Sequence, residues 1–446
     1  MQNTQLTKDN IGQKLQQILE MTKQAGATAA EVDIYVETGY AATARLAEAE
    51  TLEYNHDKDI NILVYLGQQS ASVTTSDTRV DALRDAVTTA LRIARYAEVD
   101  PYVGIIEKEY LSNDVPSLEI NFPWTLSAQE AMQLAIECDR SGLAFDQRIC
   151  NSEGATVNNH QILHAYGNTQ GFDHAYSATR HSISSVLVAQ GKNEMQRDYY
   201  YHTARDANDL PQGEEIARIA AQRTVARLEP RGIKTQQASV LFNPESARSL
   251  LKHFISAISG SALYNKSSFL LDHLGERVFP SWFNLIERPH LSRGLGSTPF
   301  DDNGMVTYDK HFIENGILKN YALGVYAARK LKMRPTANAG GVYNLLVAPG
   351  RENLSQLLKC LGSGLFVTEV MGQGVNQVTG DYSQGASGFW VENGEIAYPV
   401  DEATIAGNLS QMFKNISTVG SDLDVRAKLQ TPSILIEDMM IAGQAV

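Results

Sequence analysis

PESARSLLKHFISAISG, residues 244–260, decides how the rest of this chain is read. Asn243 before it is a fit N-cap, Pro244 takes the first helical position, where a missing N–H costs nothing, and Gly260 reads as a C-terminal stop. Leu251, Phe254, Ile255 and Ile258 recur at helical spacing, so one face of the helix is apolar and belongs against a core. His253 sits on this helix with no glutamate after it. Hydrolysis by a helix-borne zinc needs histidines about one turn apart and a carboxylate on the same helix to take a proton from the bound water. The positions that follow are Phe254, Ile255, Ser256, Ala257 and Ile258, and none of the ten histidines in the chain precedes a glutamate. A His-Glu zinc helix is therefore absent from this sequence.

Upstream, residues 7–24 form an amphipathic pattern with Ile11, Leu15, Ile18 and Leu19 on one stripe and Thr7 available as cap. Val32, Ile34 and Val36 alternate as a half-buried strand, and Ile60–Leu66 is a more continuous one, followed by a run around Ala71–Thr75 and a helix through Val80, Leu83, Val87, Leu91 and Ala94. Ser127 to Glu130 spells a capping box for a helix running to about Ser141. From Ala155 to Arg205 the pattern is of short strands broken at Gly154, Gly167-Asn168 and Gly191-Lys192-Asn193, as in an antiparallel meander. A helix over Glu214–Leu228 ends in Glu229-Pro230-Arg231-Gly232, where the domain boundary is placed.

Downstream, strand Ala238–Phe242 leads into the quoted helix. Asp302-Asn303-Gly304, Glu314-Asn315-Gly316 and Glu392-Asn393-Gly394 are hairpin signals, and Gln356–Leu361 and Thr404–Lys414 read as short helices. The expected fold is α+β, with an N-terminal helix-and-sheet domain over 1–230 and a C-terminal domain of curved antiparallel sheet with helices over 231–446.

Composition narrows the function. With 446 residues, 43% of them hydrophobic and 20% charged, the chain can bury a large interior and two domains are the default. A net charge of -13 sets it against polyanions, and the basic cluster Arg218, Arg223, Arg227 and Arg231 lies at helical spacing and reads as a solvated face, so no nucleic-acid partner is expected. Cys138, Cys150 and Cys360 are scattered and read as reduced, buried thiols. The N-terminal MQNTQLTKDNIGQ has no apolar signal core and no run approaches the ~18 apolar residues of a membrane span, so a cytoplasmic location away from membranes is expected.

Other candidate chemistry is weaker. His160 and His164 are four apart, but Asn158, Asn159 and Gly167 favour a strand surface over a metal site. His174, His181 and His202 read as ordinary polar positions, and Tyr199, Tyr200 and Tyr201 alternate across a strand where they pack. The glycine-rich stretch Leu361–Gly394 holds neither G-x-G-x-x-G nor a Walker motif, and no lysine lies between Lys359 and Lys414, which removes nucleotide binding. Two readings of it stay open: glycines that relieve tight turns, or a strand edge that pairs with an extended peptide through Gly372, Gln373, Gly374, Thr379, Gly380, Asp381, Tyr382 and Ser383. Ser383 and Ser387 are conspicuous, yet nothing in the sequence supplies either with a base.

Several long segments carry a resemblance. HFISAISGSALYNKSSFLLDHLGERVFPSW (253–282), GLGSTPFDDNG (294–304), TANAGGVYN (336–344), TEVMGQGVNQVTGDYSQGASGFWVENGEIAYPV (368–400) and TIAGNL (404–409) together resemble the TldD/PmbA family, formerly called modulators of DNA gyrase, in its PmbA (TldE) branch. The resemblance covers nearly the whole chain. It implies a cytoplasmic subunit of a zinc metallopeptidase acting on unfolded or modified peptides, a heterodimer of one TldD-type and one PmbA-type chain. The TldD branch carries His-Glu-x-x-x-His and a late cysteine. On this sequence the first histidine falls on His253, the glutamate on Phe254, the second histidine on Ile258, and no cysteine follows Cys360. The resemblance therefore implies a non-catalytic chain with vestigial zinc-helix positions, no metal of its own, and zinc in the partner subunit. Two rivals stand beside it: a non-enzymatic regulator of the gyrase-modulator kind, and a peptidase using His253 with His273 or His290. Expressed alone, the chain is expected to be able to form a homodimer.

Overall fold

The computed structural model describes residues 6–443. Its N-terminal part is a six-stranded sheet in the order β3-β2-β1-β4-β5-β6. The strands are β1 (Ala29–Arg45), β2 (Glu48–Leu66), β3 (Gln69–Thr75), β4 (Ile149–Asn168), β5 (Asp173–Gln190) and β6 (Met195–Ala204). Helices α1 (Ile11–Gln24), α2 (Val80–Ala94), α3 (Ala128–Leu143) and α4 (Gly213–Ala226) cover it. The strands are far longer than the local apolar runs announce: Val32–Val36 is only the middle of β1, and the expected short strands of 155–205 are long ones. Length has a use here. Alternate residues share a face, so Val32, Ile34 and Val36 bury against α1 and α2, while Ala42 and Ala44 further along the same face bury against α3 and α4. Gly154 does not break β4 but sits at a register shift with φ +116.

The caps explain the helix boundaries. Ser127 and Glu130 form the expected capping box of α3. α1 begins later than expected, at Ile11 with Asn10 in the N-cap position, and Thr7 donates its backbone N–H to Asn10 Oδ1.

The C-terminal part starts with β7 (Gln236–Phe242), α5 (Pro244–Ile258) and α6 (Gly260–Tyr264). It continues through β8 (Leu285–Glu287), β9 (Lys310–Glu314), β10 (Ile317–Leu318), α7 (Val325–Leu331), β11 (Leu345–Val347), α8 (Leu354–Leu361) and β12 (Gly364–Met371). It closes with β13 (Asp381–Glu392), β14 (Glu395–Asn408), α9 (Leu409–Lys414), β15 (Ile416–Val419), β16 (Leu429–Gln430) and β17 (Ile434–Ala442). A five-stranded sheet runs β10-β9-β8-β11-β16, and a six-stranded one β14-β13-β12-β7-β17-β15. The α+β class holds, with one correction: β7 pairs β12, and β11 pairs β16, in parallel, so these sheets are mixed.

Two more expectations change. Gly260 opens α6 rather than stopping α5, because Ser259 leaves the helix at ψ 142 and caps the next one, and a Cβ at Gly260 would collide with Ala327. Thr404–Asn408 is strand, so that helix is confined to α9. The Asn315-Gly316 and Asn393-Gly394 hairpins form as expected, joining β9 to β10 and β13 to β14.

The basic cluster is not a solvated face. Arg218 is exposed and pairs with Glu215, but Arg223 pairs with Glu245 at 3.2 Å, Arg227 with Glu369 at 2.6 Å, and Arg231 lies over the Tyr398 ring. Arg223 and Arg227 thus bridge α4 to the C-terminal elements, while Arg231 is exposed. The thiol expectation is also corrected: Cys138 is buried, with its Sγ donating to the Gly213 carbonyl, whereas Cys150 and Cys360 are exposed.

Candidate functional site

α5 is positioned by its two ends. Asn243 Oδ1 accepts from the Ser246 N–H at 2.7 Å, and Asn243 donates its own N–H to the Val367 carbonyl of β12, which locks the helix start to the central sheet. From there one face is dictated by hydrophobicity. Leu250, Leu251, Phe254, Ala257 and Ile258 enter the main C-terminal core, and Phe254 meets Phe279 and Phe413 edge-on at ring separations of 5.4 and 6.1 Å. Phe254 and Ile258 are both 0% exposed.

His253, one residue away, points to the other side and is half-buried. Its Nδ1 lies 3.3 Å from Gln377 Nε2, and its ring meets the edge of Tyr382 at 6.1 Å. Burial, helped by the nearby Lys252 charge, lowers the imidazole pKa below its ordinary 6.5. The carboxylate of α5, Glu245, is taken up by Arg223 and Arg426, so what α5 offers a metal beside Phe254 is the His253 imidazole alone. A phenyl and a sec-butyl side chain have no lone pairs, and among the described residues no three His, Cys, Asp or Glu side chains gather as a metal-ligating group. Among the described residues, the side chains around His253 do not make up a closed zinc ligand set.

The alternative ligand set does not assemble either. His273 Nδ1 hydrogen-bonds the Leu271 carbonyl and His290 Nε2 the Thr307 hydroxyl, each engaged in its own loop. On the N-terminal sheet, His160 and His164 lie on one face of β4, and each meets a carboxylate of β1: Glu37 at 3.0 Å and Asp33 at 2.7 Å. They are cross-strand contacts between neighbouring strands, and His160 is buried rather than on the strand surface expected of it. Tyr199 and Tyr201 stack at 6.2 Å while Tyr200 lies under Arg223 and Arg426, which is packing.

The glycine-rich stretch makes a folded-back loop beside His253. Gly372, Gln373 and Gly374 leave β12, and Thr379 and Gly380 return the chain to Asp381, Tyr382 and Ser383 of β13. Ser383 donates its N–H to the Gly374 carbonyl at 2.7 Å and Asn376 donates to the Asp381 carbonyl at 2.9 Å. A Cβ at Gly374 would run into the Ser383 carbonyl oxygen, and Gly380 has φ +80, so both positions demand glycine. Asp381 accepts from the Thr379 hydroxyl and from the Asn408 amide, which together hold its carboxyl below the usual range. Residues 373–377 with 381–383 line an open cavity of about 650 Å³. The Tyr382 ring, 2% exposed, is a wall of that cavity rather than a contact surface, and Gln377 Oε1 is buried with no hydrogen-bond partner. Ser383 is exposed, and Ser387 donates its hydroxyl to Asp401 at 2.5 Å instead of to an imidazole.

Family models match most of the chain: the one described as the PmbA/TldA metallopeptidase C-terminal domain covers residues 235–443, and the one described as the central domain covers 121–228. This chain belongs to the PmbA/TldD metallopeptidase family. It is 44% identical over 415 residues to the metalloprotease PmbA of Escherichia coli O157:H7, covering 93% of this chain and 92% of that one. Its fold matches the crystal structure of a candidate modulator of DNA gyrase from Bacteroides thetaiotaomicron with a TM-score of 0.93 at 24% identity, over 98% of this chain and 100% of that one. The crystal structure of TldE from Thermococcus kodakarensis aligns with a TM-score of 0.85 at 18% identity, over 96% of this chain and 100% of that one. Within the PmbA/TldD fold, sequence reasoning missed a second cavity of about 540 Å³ where β6 and α4 meet the start of α5, lined by Asp198, Arg223, Arg227, Glu245 and Glu369 among others. Its walls come from segments far apart in the chain, and no local signal marks it. No helix among the described residues is long and apolar enough to cross a membrane.

Proposed function

We propose that this chain is the non-catalytic subunit of a cytoplasmic metallopeptidase complex: it pairs with a zinc-bearing TldD-type chain, holds no zinc itself, and helps enclose an extended, unfolded or modified peptide. The observation that carries this reading is the burial of Phe254 and Ile258. They fill core where a hydrolytic helix would present a proton acceptor and a second metal ligand, and the remaining imidazole of His253 is neutral and tied to Gln377. One imidazole gives no closed ligand set, and no carboxylate on α5 faces it to activate water.

The loop of Gly372–Ser383 is the peptide-facing element in this reading. Its glycines bring backbone to the surface, where an extended peptide can pair with it. The test is proteolysis of an unfolded peptide by this chain, by a TldD-type chain and by their mixture, with elemental analysis of each. The expected result is negligible zinc and negligible cleavage from this chain alone, and cleavage by the mixture with stoichiometric zinc in the sister. Robust cleavage by this chain alone, with bound zinc, would overturn the reading. A regulator that never joins a TldD-type chain would show no complex and no gain on mixing.

A further inference from the structure

β2 runs from Glu48 to Leu66, but β3 covers only its last part, Ile60–Leu66. On the inner side β1 pairs with β2 along its whole length, from Arg45↔Glu48 to Ala29↔Tyr65. On the outer side, among the described residues, no strand pairs with Glu48–Asp59. This leaves about 40 Å of strand edge, interrupted by one bulge at Glu50 near the hairpin tip and regular from Thr51 to Asp59, with alternate backbone N–H and C=O groups turned outward. Such an edge is a ready template for another strand, and proteins ordinarily blunt one with proline, bulges, lysines or short length. This one has no proline, one lysine, Lys58, and a single bulge at Glu50 at its hairpin end, so Thr51–Asp59 is left open. It also presents apolar side chains: Leu52 is 39% exposed, Tyr54 69%, and Leu46 at the hairpin tip 53%. An exposed tyrosine such as Tyr54 is the kind of anchor that binds rather than repels.

Charge selects the occupant. Glu48, Glu50, Glu53, Asp57 and Asp59 line the edge against Lys58 within it and Arg45, 3.7 Å from Glu50, on the facing strand. Pairing two copies of this chain here would set one row of carboxylates beside another, and like charges across strands are destabilising. A strand bearing lysine or arginine gains where the second copy loses.

We infer that the free edge of β2, Glu48–Asp59, is a docking strand that pairs by β-addition with a basic extended strand of the TldD-type sister chain. This rests on the reading of the chain as a subunit of a two-chain complex. The test mixes the full-length chain with a purified TldD-type chain. Sedimentation velocity reads complex formation, and hydrogen exchange reads the amides of 48–59. A variant carrying Glu50→Lys, Glu53→Lys and Asp57→Lys, all at exposed positions, tests the charge.

The expected result is a one-to-one complex, slowed exchange at alternate amides of Glu48–Asp59, and about tenfold or greater weakening by the triple variant, with unchanged circular dichroism of that variant alone. A complex that forms with unchanged exchange in 48–59, or that the triple variant forms with equal affinity, overturns this inference and leaves the subunit reading standing. Protection of the same amides in a homodimer of this chain, or by an unfolded peptide alone, also overturns it. Absence of any complex between the wild-type chains overturns the subunit reading, and this inference with it.

Discussion

Phe254 is the residue on which the local chemistry turns. Its ring is fully buried and shared between Phe279 and Phe413, so truncation opens a cavity that these two aromatic neighbours cannot collapse. Phe254→Ala is expected to cost about 3–5 kcal/mol, read by urea denaturation; a loss under ~1 kcal/mol would mean that α5 does not depend on this packing. His253 carries a different expectation. Its folded pKa lies below 6.5 because burial disfavours the charged ring, so the unfolded chain binds the proton more readily. The contribution of the neutral ring is full above the unfolded value and is lost as pH falls from about 6.5 toward the folded one. Burial acts in the same direction at His160, His174, His181, His202 and His290. Stability should therefore drop between pH 7.5 and 5.5, and His253→Gln should flatten that slope by one histidine's share without abolishing it. Histidine NMR titration checks the sign directly: a His253 pKa above 6.5 contradicts the burial argument.

Elements show what local sequence can and cannot announce. The caps of α3 and α5 were readable because capping is a local bargain between a side chain and the N–H three residues on, and Asn243, Pro244, Ser127 and Glu130 state it outright. Asn243→Ala is expected to cost about 1–2 kcal/mol, at the upper part of that range because the side chain is buried and also receives the Ser246 hydroxyl; Asn243→Asp should keep most of the stability. Strand ends were not readable. β1 and β2 continue through Thr38–Arg45 and Glu48–Asp59, which apart from Tyr40, Leu52 and Tyr54 are polar or small, because the partner strand and not the side-chain pattern holds them. The same blindness hid the parallel pairing of β7 with β12, whose partners lie more than a hundred residues apart. The loop of residues 372–383 was legible as glycine-rich, and its alternatives turn on Gly374. Gly374→Ala must push the Ser383 carbonyl away and displace the loop, so it should weaken peptide capture by the two-chain complex while leaving thermal unfolding nearly unchanged. Unaltered capture would favour the plain reading of these glycines as turn relief.

At the scale of the whole molecule, the joint between the N-terminal sheet and the C-terminal core is held by buried charge. Asp424 stands at its centre, paired with Arg248 and, at 2.7 Å, with Arg426, while Arg426 also reaches Glu245 at 2.7 Å and donates to the Tyr201 carbonyl of β6 at 2.8 Å. Sequence could not show this, since residues 201, 245, 248 and 424–426 converge only after both sheets form. Burial pushes the Asp424 carboxyl up, but the hydrogen bond and charge of Arg426, with Arg248 behind it, more than offset that and hold it below 3.8. A carboxylate held low stabilises the fold above its unfolded pKa, and that contribution is lost as pH falls through the folded value. Removing the partner is harsher than protonating it. Asp424→Ala strands the Arg248 guanidinium, whose side chain is 10% exposed, and leaves Arg426 with Glu245 alone; losing one partner of such a buried pair costs about 3–5 kcal/mol. Adding Arg248→Met removes the stranded charge and fills its space, so the double variant should recover part of that loss. Urea titration of the three proteins decides it: a double variant no more stable than Asp424→Ala would mean that the single substitution acts through lost volume, and that the charges across this joint are not what holds it.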